Sequence, residues 1–158
     1  MDFLHAILAA VLGTVAMTWS STTEMYLEGR PESVVPGKAT NKMLRLVGVP
    51  EFADDSKALK ILSHWTHWIY GAAWGALYWV FVSVADLNAI VAGIPFFGAV
   101  WIIEQIELPM LGIGVPWPWR WGKTEDGHVW KYNLLDALHH VVYAAGTVAG
   151  WYLIGWTV

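Results

Sequence analysis

Residues Leu87–Gly112 read LNAIVAGIPFFGAVWIIEQIELPMLG. The stretch is uncharged apart from Glu104 and Glu107, and about 18 or more mostly apolar residues are enough to cross the hydrocarbon of a bilayer. Three more stretches have this character, about Phe3–Tyr26, Ala58–Val84 and Tyr132–Thr157. Each could cover about 30 Å at about 1.5 Å per residue. The composition agrees. Of 158 residues, 56% are hydrophobic and 14% charged, where a soluble domain carries roughly a quarter charged residues. The expected fold is all-α: a single integral membrane domain over 1–158, with four antiparallel up-down spans and long loops at 27–57 and 113–131. The first span has no basic region before it and no small-residue cleavage site, so a retained helix is expected rather than a signal peptide.

Asp86 and Asn88 lie in a connection of a few residues, which makes spans two and three a tight hairpin. In the first long loop, Gly29-Arg30-Pro31 and Pro36-Gly37 are turn signals. Asn41–Val49 spaces Met43, Leu44 and Val47 as a short surface helix stopped by Gly48 and Pro50. In the second, Trp117, Trp119 and Trp121 alternate with prolines and read as an aromatic belt at headgroup depth. All nine Lys and Arg fall in these loops or their flanks, which by charge bias places both loops in the cytoplasm and both termini outside. A net charge of −4 excludes nucleic acid as a partner class, because phosphate binding needs a basic face. The absence of cysteine excludes disulfides and thiolate metal sites.

Ionisable groups inside a span are expensive and need a reason. The second span carries His64 and His67, the third Glu104 and Glu107, the fourth Asp136, His139 and His140, and the first Glu24 near its loop end. Residues three or four apart share a helix face. Counted from the long-loop side, His67, Glu104 and His140 lie at roughly 12–14 Å, while His64, Glu107 and Asp136 lie at roughly 6–9 Å. Matching polar groups thus sit at matching levels on neighbouring helices. A bundle with inward Glu and Glu-x-x-His pairs is how four-helix carboxylate proteins bind metal. Imidazole with carboxylate and no thiolate suits iron, zinc, manganese or copper. The expected ligands are Glu24, His67, Glu104 and His140, with His64, Glu107, Asp136 and His139 as supporting or bridging groups. Other uses of the same groups are a proton relay, haem held between His67 and His140, or hydrogen bonds that fix helix register. No nucleophile–base pair is visible, so no catalytic residue is assigned.

Gly71-x-x-x-Gly75 and Gly146-x-x-x-Gly150 permit close backbone approach. Thr18, Ser20 and Ser21 can bond back to their own helix. Pro95 and Pro109 should bend the third span. His5 and His128 lie apart from the polar tier and read as surface residues. Twelve Trp and the glycine-faced helices also fit an accessory subunit of a larger respiratory, photosynthetic or oxygenase membrane complex, or a homo-oligomer.

The pattern Gly13…Glu24, Thr66-His67 with Gly75-Ala76-Leu77-Tyr78, Leu108-Pro109-Met110-Leu111-Gly112 and His140-x-x-Tyr143 resembles the YagU-like four-helix bacterial inner-membrane proteins, over about Gly13 to Leu153. The resemblance implies four spans, a long first loop and an inner-membrane location, and the family has no settled activity. It also implies that Glu24, His67 and His140 match shared positions, and that Glu104 stands where the family carries His. His64, Glu107 and His139 have no clear match. The family's basic termini imply the orientation opposite to the one charge counting gives.

Overall fold

The structure is a computed structural model and describes residues 3–113 and 129–155. Every regular element among them is helical: α1 (Phe3–Leu27), α2 (Val35–Leu46), α3 (Lys57–Ala73), α4 (Gly75–Trp79), a π-helical turn (Val80–Val84), α5 (Ala89–Met110) and α6 (Val129–Gly155). The tryptophan belt at 117, 119 and 121, the basic Arg120 and Lys123, and His128 lie outside the described residues. By length and composition, α1 and α5 are apolar enough to cross a membrane.

Helix α1 is the centre of the bundle. It packs along α6 and against α3 and α4, while α5 leans on α6, α4 and the π turn. Small residues set this arrangement. The buried face of α1 is Ala6, Ala9, Ala10, Gly13 and Thr14, and it meets both glycine pairs. A Cβ added at Gly75 would lie 2.6 Å from the Ala6 carbonyl oxygen; one at Gly146 would lie 2.9 Å from Ala16 Cβ. Without side chains at these points the backbones pack directly, and dispersion replaces bulky hydrophobic burial. Tyr143 closes the seam by donating its hydroxyl to the Gly71 carbonyl at 2.5 Å. At the hairpin end, the rings of Tyr78, Phe96, Tyr143 and Trp151 stack edge to face or tilted, with centroids 5.2–5.6 Å apart.

Three expectations need correction. The second long helix is not continuous: it breaks at Trp74 and ends in the π turn, beside the point where Gly75 lets Ala6 approach. Helix α2 begins at Val35, not Asn41, because Pro36 occupies its first turn, where a missing N–H costs nothing. Gly37, next to it, is no breaker; it is buried against Leu59 and Ser63 of α3. His5 is not a free surface residue. It is half-buried, its Nε2 donates to the Trp151 carbonyl at 2.7 Å, and its ring lies on the Trp151 ring.

The short connection behaves as its residues dictate. Asp86 takes φ 53°, a left-handed turn that Asp tolerates, and Asn88 caps α5 by accepting from the Ile90 amide at 2.9 Å. Gly48, with φ 87°, follows the last turn of α2, as glycine does at a helix end. Buried Asn41 holds the following loop with a pair of bonds to the Phe52 backbone, both 3.0 Å.

Candidate metal centre

Helices α5 and α6 bring one trio together. Among the described residues, Glu104, Asp136 and His140 each present a ligand atom within 4.8 Å of the others, and these residues could hold a metal ion. His140 is buried and Glu104 and Asp136 partly so. The geometry follows from helix direction. A helical side chain leans toward its own N-terminus, so the His140 ring lies back over Asp136, one turn earlier. Its Nδ1 contacts the Asp136 carbonyl oxygen at 2.8 Å. A carbonyl can only accept, so Nδ1 carries a proton.

That bond fixes the rest of the ring. Nε2 forms an ion-pair contact of 2.8 Å with Glu104 Oε2, an oxygen shielded from solvent and with no further partner among the described residues. A carboxylate oxygen this close to the second ring nitrogen requires a positive charge between them, supplied by a proton on Nε2, as in an imidazolium–carboxylate pair, or by a shared metal ion. Asp136 is held from the other side, where its Oδ2 accepts from Trp101 Nε1 at 3.1 Å and Gln105 Nε2 at 3.2 Å. Trp101 and Gln105 flank Glu104 on α5, so one helix supplies both a candidate ligand and the donors that aim its neighbour.

The other expected residues have other partners. His67 faces α1. Thr18 donates its hydroxyl to the Thr14 carbonyl at 2.7 Å, so at 2.9 Å it accepts from His67 Nε2. Glu24 is engaged by Arg30, whose Nη2 lies 2.5 and 2.6 Å from its two oxygens. His139 lies 3.7 Å from Glu24 and 3.0 Å from Ser20 Oγ. Glu107 accepts the Tyr70 hydroxyl at 2.6 Å, tying α5 to α3. His64 is exposed, between Trp65 and Trp68. The tier that the sequence divides by depth is therefore regrouped: Asp136 joins Glu104 and His140, while Glu24 and His139 belong to an ion-pair cluster at the loop end.

In that cluster Arg30 also bonds Glu28 at 3.0 Å, and Lys131 pairs with Glu28. The Lys131 ammonium, with Arg30, holds the Glu28 carboxyl below the usual glutamate range. Trp101, Gln105 and Arg30 are the functional contacts that sequence reasoning missed. For the first two the signal was present, since they lie three residues before and one after Glu104 on an inward-turned helix. For Arg30 there was none, because its pairing depends on how the chain leaves α1.

No family model, curated protein or solved structure matches this chain.

Proposed function

We propose that this protein is a four-span integral membrane bundle that binds a transition-metal ion between α5 and α6, through Glu104, Asp136 and His140. The observation that carries the proposal is the convergence of Glu104, Asp136 and His140, whose ligand atoms all lie within 4.8 Å of one another, with His140 Nε2 2.8 Å from Glu104 Oε2. Neighbouring ligand atoms on one six-coordinate metal stand about 3 Å apart when bonds are about 2.1 Å. The Nδ1–H bond to a backbone carbonyl is the outer contact by which ligating histidines are oriented. Nitrogen and carboxylate oxygen without sulfur suit iron, zinc, manganese or copper. Three ligands leave room for water or a small molecule, as in open catalytic sites.

The membrane part of the proposal rests on the large apolar side chains that face outward. Ile94 is 72% exposed, with Ile90, Ile102 and Ile106 beside it on α5, Leu4 and Leu8 on α1, and Leu138 and Leu153 on α6. The interior holds small and aromatic apolar residues together with Thr14, Ser63, His139, His140 and Thr147. Exposed apolar surface of this extent marks a lipid or protein environment. Helix α6 and the α3–α4 rod carry more charged and histidine residues than α1 and α5, and of these His67, Asp136, His139 and His140 turn at least partly inward and so are spared much of the contact with lipid.

The test is metal content. Detergent-purified protein loaded with zinc, iron, manganese or copper, then desalted, should retain close to one ion per chain. Glu104→Gln and His140→Ala should each lower retention at least about tenfold, while His64→Ala should not. Equal retention by all three variants would remove the site from this trio.

A further inference from the structure

The described basic residues divide into two groups. Arg30, Lys38, Lys42, Arg45 and Lys131 each pair with a carboxylate. Lys57 and Lys60 have no ion pair among the described residues, and both line one open cleft of about 380 Å³ together with Ile61, His64 and Trp65. These five residues lie on one side of α3, within its first turns. Lysine in the first turn of a helix opposes the helix dipole, so the stability of α3 does not explain their presence. Below the two ammonium groups, the cleft wall is apolar: Ile61 is 50% and Trp65 60% exposed. Trp65 lies about 7–8 Å further along the axis than Lys60, at about 1.5 Å per residue.

We infer that this cleft binds the phosphate headgroup of an anionic membrane lipid, with Lys57 and Lys60 on the phosphate and Ile61 and Trp65 along the upper acyl chain. The inference rests on the membrane reading above. Cations at the end of a spanning rod, directly over an exposed aromatic and an aliphatic side chain, match a lipid in both charge and polarity along its length. His64, edge-on to Trp65 and tilted against Trp68 with centroids 6.4 and 6.2 Å apart, also lines the cleft. A soluble anion would use the lysines but have no use for the wall beneath them.

The full chain is reconstituted in phosphatidylcholine vesicles with trace spin-labelled phosphatidylglycerol, and separately with trace spin-labelled phosphatidylcholine. The wild-type chain should immobilise phosphatidylglycerol preferentially. Lys57→Gln with Lys60→Gln should reduce that preference by about 25-fold or to none, given about fivefold per basic residue near the surface; Lys57→Arg with Lys60→Arg should keep it. Because the Gln variants remove charge that opposes the helix dipole, unchanged helix content by circular dichroism is expected of them. Equal selectivity in the Gln variant, or displacement of the labelled lipid by inorganic phosphate at millimolar level, overturns the inference. Alkaline carbonate extraction separates the two readings. A chain that stays in the membrane but shows no selectivity sinks only the lipid site. A chain that is washed out sinks the membrane reading and the lipid site with it.

Discussion

Replacing Gly75 by alanine inserts a methyl group where α4 meets α1. The new Cβ would lie 2.6 Å from the Ala6 carbonyl oxygen and 2.8 Å from Ile7 Cα, where ordinary contact starts at 3.4 Å. Both neighbours are backbone, so no side chain can rotate away, and α1 must retreat by about 0.8 Å. Overpacking of this kind costs about 1–3 kcal/mol, offset in part by the 0.5–1 kcal/mol that alanine gains over glycine in a helix. A net loss of about 1–2 kcal/mol shifts the melting temperature down by roughly 2–8 °C for a chain of this size. Gly98 on α5 is the control, since a Cβ there meets nothing within 4 Å. Gly98→Ala should therefore leave the melting temperature unchanged or raise it by a few degrees, through helix propensity alone. Thermal unfolding of both variants in one detergent, followed by circular dichroism, reads the two signs. If Gly75→Ala is as stable as the wild type, or if Gly98→Ala falls as far, direct backbone packing of α1 does not hold the bundle together.

Asn41→Ala removes the paired bonds to the Phe52 backbone and should cost about 2 kcal/mol, seen as faster proteolytic cleavage of the 47–56 segment. Trp101→Phe leaves Asp136 with one of its two α5 donors and should weaken metal affinity about tenfold without abolishing it, as measured by chelator competition. Arg45 and Lys42 hold the Glu51 carboxyl below its ordinary value. Its contribution is thus present above the ordinary glutamate pKa of about 4.3 and is lost as pH falls through the lower folded value. Glu51→Gln should flatten the decline of stability below about pH 4.5, and an unchanged acid slope would show that these ion pairs add nothing to the fold.

Helix positions were largely legible because long apolar runs leave a chain few alternatives. The glycine pairs also announced close packing, although not that α1 would be the partner of both. What stayed hidden depends on helix rotation and chain exits. Depth along a helix can be counted, and it placed Glu104 and His140 together correctly. It also put Asp136 a turn away, because counting ignores the backward lean of the His140 ring onto that turn. Glu24 looked like an inward ligand until Gly29, with φ 65°, turned the chain so that Arg30 returned to cover it. Pro36 misled in the opposite sense, since proline both breaks helices and starts them, and only the packing of Gly37 on α3 decides which.

X-ray absorption at the edge of the bound metal tests the central claim most directly, because it counts the donors as well as the ion. One imidazole nitrogen with carboxylate oxygens at about 2.0–2.2 Å is expected, as is loss of the imidazole signal in His140→Ala. A first shell with two or more imidazoles, or one whose imidazole survives that substitution, would place the metal elsewhere and contradict the account.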